Sequence, residues 1–177
     1  MLAAVLMVPG MAAEKEVVEL CFNYGCARSE LISFSAEELA GVHAYLSDAE
    51  NAAAERAALA KAVALMYRLA GSQTPISADQ AGNLADEGVH GRMDCIDHST
   101  NTNAFLRIIE KRGWLRFHEV DAVAQRKWLI FSQHFSAAVR THAGQGWVID
   151  SWFVEHGEPA VVLPLEKWMK GDGPNVY

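Results

Sequence analysis

The chain has 177 residues, of which 51% are hydrophobic and 21% are charged, and its formal net charge is −7. This length and apolar content predict one domain with a substantial core, which we expect to comprise residues 14–177. The acidic balance and the lack of a basic run in the sequence argue against a nucleic-acid partner.

The first 13 residues, MLAAVLMVPGMAA, are apolar and are followed abruptly by charged residues. They are too short to span a bilayer but fit the apolar part of a secretory signal, with small residues near a cleavage point. The positively charged part of such a signal is missing. We expect residues 1–13 to be a partial signal segment and the protein to be periplasmic or secreted; a buried N-terminal segment of a cytoplasmic protein is the alternative. No other stretch is long and apolar enough to predict an integral membrane span.

Two cysteines, Cys21 and Cys26, lie in VVELCFNYGCARSELISFS, which predicts two strands joined by a turn at Gly25. A disulfide between them would fit an oxidising compartment and would close a short loop. Two reduced thiols on neighbouring strands are the alternative. The pair lacks the further Cys or His residues at finger spacing that a zinc site needs, so we expect no metal there.

Helices follow the predicted hairpin. Ser35 begins a capping-box string, Ser-Ala-Glu-Glu, which predicts a helix over residues 36–46. An apolar face at helical spacing predicts a second helix over residues 52–70, ended by Gly71 in a left-handed conformation. The looser segment after it is predicted to contain a short helix near residues 80–86.

From Trp114 onward, apolar and polar residues alternate along the sequence. Four segments predict strands with short connections, namely residues 114–123, 134–141, 146–153 and 160–168. Because helices come first and strands follow, we expect an α+β fold with a C-terminal antiparallel sheet.

A helix is also predicted within GRMDCIDHSTNTNAFLRIIEKRG, residues 91–113, with Asp94 as its N-cap. The first half of this helix has few residues that gain from burial, which indicates that it lines a site. Cys95 lies in the first turn, where free amides and the helix dipole favour a thiolate, so we expect a lowered thiol pKa and a nucleophilic role. A buried structural cysteine is the alternative.

A base and an orienting acid for this thiol are offered by His134 and Asp150. An aspartate inside an apolar strand needs a partner, because an unpaired buried carboxylate is costly. A hairpin turning at residues 142–144 allows two registers that keep apolar residues opposite each other. One register places His134 opposite Asp150, and the other, shifted by two residues, makes them diagonal neighbours on the same face. A polar pair at a sheet edge without catalysis is the alternative.

The strings MDCIDHSTNT, QHFSAAVR and WVIDSWF resemble the Cys, His and Asp motifs of the transglutaminase-like cysteine peptidase superfamily. They are most similar to those of the bacterial transglutaminase-like cysteine proteinases, and the resemblance covers residues 91–153. It implies a papain-like core with the nucleophile helix packed on the sheet, and acyl transfer from amides of a protein or peptide substrate. It assigns Cys95 as nucleophile, His134 as general base and acid, and Asp150 as the residue that orients the imidazole. No cofactor is required by this chemistry.

Some members of this superfamily bind calcium through acidic residues around the cysteine. Asp94 and Asp97 are acidic here, but Ile96 separates them and no third carboxylate is close, so calcium is only weakly supported. His98 occupies a position where the family often has an aromatic residue. The resemblance therefore makes Asp94, Asp97 and His98 candidates for contacts with substrate or calcium.

Two other classes of function compete with an enzyme. Cys95 and His98 lie three residues apart on a helix, and His90, His118 or His134 could complete a metal-binding module. The spacing of these residues follows no known zinc pattern, so we expect no metal. A non-catalytic binding protein that retains the fold is the third class. We expect His118, on a predicted strand, to be structural.

Overall fold

The structure is a computed structural model that describes residues 15–82, 85–128 and 132–174. The expected signal segment, residues 1–13, lies outside this part of the chain. None of the helices in these three ranges is long and apolar enough to cross a membrane.

The described residues form an α+β fold, as predicted, in which helices precede most of a larger antiparallel sheet. A hairpin comes first, and a short 3-10 helix, Pro75–Ala78, lies between the second and third α-helices. The elements in chain order are β1 Glu16–Phe22, β2 Arg28–Phe34, α1 Ala36–Leu46, α2 Ala52–Gly71, α3 Cys95–Lys111, β3 His118–Val120, β4 Ala124–Trp128, β5 Ser132–Thr141, β6 Gly146–Asp150, β7 Val161–Pro164 and α4 Leu165–Met169.

The larger sheet is organised around β5, which is ten residues long. β4 pairs with the first half of β5, and β3 pairs with its end. β6 pairs with β5 and then with β7, which gives the order β3-β5-β6-β7, whereas β1 and β2 form a separate two-stranded sheet. A strand with neighbours along its whole length is held rigidly, so side chains on β5 have well-defined positions.

The third helix, α3, connects the two sheets. It packs against β1 of the hairpin and against β5 of the larger sheet. Its second half carries the apolar stripe, and Phe105 is fully buried with its ring edge-on to Phe34, 5.7 Å between centroids. Each such side chain contributes about 1.5–3 kcal/mol through burial. The apolar half thus anchors the helix and leaves its polar first half free for other contacts.

The helix signals before α3 are confirmed in most respects. The Ser35 hydroxyl accepts from the Glu38 N–H at 3.2 Å, and the Glu38 carboxylate accepts from the Ser35 N–H at 2.7 Å, so the capping box is formed. The prediction that Gly71 ends α2 in a left-handed conformation is wrong, because the helix includes Gly71 and is capped by Ser72. Gly71 lies against the His156 ring, where a Cβ atom would clash.

Three predictions about the remaining elements are wrong. No helix is found in residues 80–82 and 85–86, and the 3-10 helix lies earlier, with Pro75 supplying its first residue. The segment 114–123 holds only the short β3, and β4 was not predicted. The segment predicted as one strand over 160–168 is β7 followed by α4, because Pro164 lacks the N–H that would continue the ladder.

A buried hydrogen bond between Glu55 and His118 joins α2 to β3. Glu55 and His118 are both buried, and the Glu55 carboxylate lies 2.8 Å from His118 Nδ1 and 3.0 Å from the Phe117 N–H. The Arg56 guanidinium lies 3.1 Å from His118 Nε2, and because arginine only donates, that nitrogen is the acceptor in this contact. Burial alone would raise the pKa of Glu55, but the hydrogen bonds from His118 and from two backbone N–H groups hold it below its ordinary value. These contacts give His118 a structural position.

We expect Glu55→Gln to lower the free energy of unfolding by about 2–4 kcal/mol, because an amide sets N–H groups against N–H donors in a buried site. Urea denaturation measures the loss. The matched control is Glu37→Gln, on the exposed side of α1, with an expected change within about 0.5 kcal/mol. A loss for Glu55→Gln no larger than that of the control would contradict the structural role.

Candidate active site

The first turn of α3 is closed by a reciprocal pair of carboxylates. Asp94 is the N-cap, and its side chain accepts from the N–H groups of Ile96 and Asp97, each at 3.0 Å. The Asp97 side chain in turn accepts from the Asp94 N–H at 3.1 Å, which completes a capping box. Cys95 is therefore the first residue of the helix, as predicted from the sequence, and it is a free, partly exposed thiol.

The β5–β6 hairpin brings His134 and Asp150 together. Ala137 pairs with Ile149 and Val139 with Trp147, which is the second of the two predicted registers. His134 Nε2 lies 2.8 Å from Asp150 Oδ2, and both side chains are buried.

The direction of this hydrogen bond follows from the chemistry of the two groups. An ionised carboxylate only accepts hydrogen bonds, so His134 Nε2 carries the proton in the pair with Asp150. Nδ1 of the neutral imidazole then holds the lone pair that can accept a proton. This tautomer is the one that a base needs if its second nitrogen faces a nucleophile.

A tryptophan from the C-terminal helix completes the support of Asp150. The Trp168 indole N–H donates to Asp150 Oδ2 at 2.9 Å, the same oxygen that His134 contacts, and the Trp152 backbone N–H lies 3.3 Å from Oδ1. Trp168 is fully buried. This role of Trp168 was not predicted, because the sequence pattern around the residue indicates a strand. A hydrogen-bond partner for Trp168 could have been expected, because a buried indole N–H generally has one.

Aromatic rings surround the imidazole. The centroid of the His134 ring lies 4.9 Å from that of Trp152, 5.2 Å from Phe153 and 5.6 Å from Trp168. These contacts limit rotation of the imidazole and keep water from the hydrogen bond between His134 and Asp150.

Cys95 begins the helix that packs against the strand carrying His134. α3 packs against β5, and the backbone N–H groups of Phe135, the residue after His134, and of Cys95 itself favour the thiolate and so act to lower its pKa. Burial nevertheless raises the pKa of the Cys95 thiol to about 11, and the negative charges of Asp94 and Asp150 act in the same direction. The lowered pKa expected for a helix start is therefore not found. At neutral pH this thiol is therefore protonated.

Asp97 contacts backbone groups of the protein. It is fully buried, and its carboxylate accepts from the N–H groups of Tyr24 at 2.8 Å and Cys26 at 2.6 Å, in addition to that of Asp94. Burial raises the pKa of Asp97 to about 6, and the neighbouring Asp94 charge contributes, while the backbone N–H groups oppose the shift. A cation or substrate at this carboxylate would have to displace these donors, so the geometry gives Asp97 a structural position.

His98 belongs to a buried polar cluster under the site. Its Nε2 lies 2.8 Å from Asp79 Oδ2 and its Nδ1 lies 2.9 Å from the Ser151 hydroxyl. Ser151 also lies 2.8 Å from the Thr102 hydroxyl, and Asp79 accepts from the Met93 N–H at 2.8 Å. Both ring nitrogens of His98 thus have partners inside the protein. Its partners Asp79 and Ser151 were not predicted from the sequence.

The remaining two cysteines lie close to the start of α3. Cys21 and Cys26 are joined by a disulfide across the turn between β1 and β2. Among the described residues, the side chains that could form a metal site of three ligands are Cys21, Cys26 and Asp97. Because the two sulfurs are bonded to each other, they are not free to ligate a metal. Cys95 and His98 are not part of that group.

No family model matches the chain, and no curated protein or solved structure matches it either. The resemblance to the transglutaminase-like cysteine peptidases therefore rests on the three sequence motifs. The function proposed below rests on these motifs and on the geometry of the site.

Replacing Trp168 with phenylalanine removes one donor to Asp150 while keeping an aromatic ring. We expect Trp168→Phe to slow alkylation of Cys95 at pH 7 about five-fold, the equivalent of one hydrogen bond of about 1 kcal/mol. Trp114→Phe, a partly buried tryptophan packed on His43, is the control and should leave the rate unchanged. The role of Trp168 is wrong if both variants react like the parent.

The raised pKa of Asp97 predicts a pH-dependent stability. A folded-state pKa of about 6, above the ordinary 3.8, means that the ionised form is disfavoured in the folded protein above pH 6. This unfavourable contribution is relieved as the pH falls. Relative to Asp97→Asn, the parent should gain about 1 kcal/mol of unfolding free energy between pH 7 and pH 5.

Urea denaturation at both pH values measures this difference. Asp48→Asn, an exposed aspartate after α1, is the control and should show no such dependence. A parent that loses stability relative to Asp97→Asn over this interval would show that the shift has the opposite sign.

Proposed function

We propose that the protein is a cysteine-dependent acyl-transfer enzyme, a peptidase or amidase of the transglutaminase-like type. Its triad would be Cys95, His134 and Asp150. The observation that carries the proposal is the hydrogen bond from His134 Nε2–H to Asp150, which leaves Nδ1 as a base on the strand against which α3, the helix that begins with Cys95, packs. The substrate would be a peptide or isopeptide amide, in a protein or a peptide.

The arrangement of elements supports a papain-like core. A nucleophile at the start of a helix, a histidine on the antiparallel strand beneath that helix and an acid on the next strand are the parts such a core needs. Here they are α3, β5 and β6. The hairpin β1–β2 and the helices α1 and α2 would form the remainder of the domain.

The first chemical step would transfer the thiol proton of Cys95 to His134 Nδ1 while the sulfur attacks the amide carbonyl carbon. Because the pKa of the resting thiol is raised, the base must act during the attack and cannot rely on a preformed thiolate. Asp150 stabilises the imidazolium that forms. The backbone N–H groups of Cys95 and Phe135, which favour negative charge at the sulfur, are candidates to stabilise the oxyanion.

The second half of the reaction would regenerate the thiol. The imidazolium of His134 protonates the leaving amine, the carbon–nitrogen bond breaks and a thioester to Cys95 remains. Water, or another amine, gives a proton to His134 and attacks the thioester, and the proton returns to the sulfur as the carbon–sulfur bond breaks. No cofactor takes part in these steps.

We further propose that the protein works in the periplasm or outside the cell. The disulfide between Cys21 and Cys26 supports this location, since such bonds persist in oxidising compartments and are rare in the cytosol.

Alkylation of Cys95 across a range of pH tests the triad. With Cys21 and Cys26 bonded, Cys95 is the one free thiol of the chain, so iodoacetamide labelling reports on it alone. We expect His134→Ala to slow labelling at pH 7 at least about ten-fold, because general-base assistance is lost, and expect the two rates to converge near pH 11.

His142→Ala provides the matched control, since His142 lies on the exposed turn after β5 and should label like the parent. Equal labelling of the parent and His134→Ala at pH 7 would contradict the proposal and favour a non-catalytic binding protein.

A further inference from the structure

The turn between β1 and β2 has an unusual backbone. Asn23, Tyr24, Gly25 and Cys26 all have positive φ, at 66°, 62°, 61° and 57°. A residue with a side chain is strained in this left-handed region, because its Cβ atom crowds the following carbonyl oxygen. Such a conformation persists only where the surrounding structure fixes it. The Cys21–Cys26 disulfide spans this run of residues.

Backbone N–H groups that converge in a turn form a small anion-binding concavity. Here the anion is the Asp97 carboxylate, which accepts from the N–H groups of Tyr24 and Cys26. Asp97 lies in the first turn of α3, two residues after Cys95, and also caps that turn through the Asp94 N–H. One buried carboxylate therefore joins the disulfide turn to the start of the nucleophile helix.

Further hydrogen bonds tie the hairpin to both sides of Cys95 in the sequence. The Asn23 N–H donates to the Arg92 carbonyl at 2.8 Å, and the Asn23 side chain accepts from the Gly91 N–H at 2.8 Å. Asn101 on α3 accepts from the Cys21 N–H at 2.9 Å and donates to the Cys21 carbonyl at 2.7 Å. The hairpin thus contacts the segment that enters α3 and the helix itself.

We propose that Asp97 is a positioning residue for Cys95. We further propose that the Cys21–Cys26 disulfide is a redox switch, because it keeps the N–H groups of the turn on Asp97 and so fixes the start of α3. This inference rests on the proposed function, because the switch acts by moving Cys95 relative to His134. The disulfide form would be active, and the dithiol form would be weakly active.

The redox step is a thiol–disulfide exchange with a dithiol reductant. Two electrons and two protons pass from the two thiols of the reductant to Cys21 and Cys26, which become thiols, while the reductant becomes a disulfide. No covalent bond then closes the left-handed turn, and its relaxation withdraws the N–H groups of Tyr24 and Cys26 from Asp97. A buried carboxylate that loses donors is costly, so the first turn of α3 must shift to hydrate it.

The double variant Cys21→Ser/Cys26→Ser imitates the open state and leaves Cys95 as the only thiol. We expect the amides of Tyr24 and Cys26 to exchange hydrogen at least ten-fold faster in this variant, with the serine amide read at position 26. We also expect Cys95 to be alkylated about ten-fold more slowly at pH 7.

Asp97→Asn, with the disulfide intact, should slow the alkylation of Cys95 to a similar degree. Combining Asp97→Asn with the double-serine variant should give no further loss, because both changes break one connection. A general loss of stability would not produce this non-additivity. Asp48→Asn serves as the control and should leave the labelling rate of both the parent and the double-serine variant unchanged.

The reduced parent, kept in dithiothreitol with a chelator, supplies a second route to the open state. The chelator matters because the ligand atoms of Cys21, Cys26 and Asp97 lie within 4.8 Å of one another, and a metal could close the turn again. Peptide mapping separates the labelling of Cys95 from that of the two new thiols. The experiment on the reduced parent tests the redox switch even if the double-serine variant fails to fold.

The proposal would be overturned if Cys95 in the open state were alkylated as fast as in the parent. It would also be overturned if the effects of Asp97→Asn and of the double-serine variant on this rate simply multiplied. Unchanged amide exchange at Tyr24 would also overturn it. Failure of the proposed function is recognised separately, because the disulfide-bonded parent would then label Cys95 without any dependence on His134, while the exchange data would still report on the turn.

Discussion

Asp150 accepts a hydrogen bond from His134 across two neighbouring strands, and this contact depends on the register of one hairpin. A slip of one residue between β5 and β6 would turn one of the two side chains to the opposite face of the sheet. Burial of Ala137, Val139 and Ile149 on the other face prevents such a slip. The apolar core thus fixes the imidazole that the proposed chemistry requires.

The other parts of the site are held by contacts of a different kind. The start of α3 is positioned by carboxylates and backbone N–H groups, with Asp97 as their meeting point. Asp150 receives a second donor from Trp168, on a helix that follows the sheet. His98, Asp79 and Ser151 form a buried cluster in which the polar groups are hydrogen-bonded to one another, as buried polar groups generally are. The three residues of the proposed triad therefore come from separate segments, each with its own support.

Much of the fold could be predicted because its signals are local. The capping boxes before α1 and α3 and the alternation of β5 and β6 each involve a few neighbouring residues. The alternation of apolar and polar residues determines which side chains of β5 and β6 share a face. It does not distinguish two pairings that differ by a shift of two residues, so two registers remained open. The choice depends on the turn conformation, in which the Thr141 and Gln145 backbones pair and Gly144 has a φ of 86°.

Long-range features could not be read from the sequence. The hydrogen bond from Trp168 to Asp150 depends on a short helix in a segment that alternates like a strand. The sequence shows that Cys95 starts a helix but not how deeply its sulfur is buried, and burial reverses the expected shift of the thiol pKa. Asp97 carries a carboxylate, which is a common metal ligand. Only the folded hairpin shows that its oxygens already accept hydrogen bonds from backbone N–H groups.

The central claim is that the Cys95 sulfur and a ring nitrogen of His134 are close enough to exchange a proton. Treatment with 1,3-dichloroacetone tests this directly, because the reagent loses one chloride to the thiol and can lose the second only to a nucleophile within reach of its three-carbon bridge. Peptide mapping should recover Cys95 and His134 joined by that bridge, and His134→Ala should give only singly attached reagent. Attachment of the parent at Cys95 alone, or a bridge to a different histidine, would contradict the account.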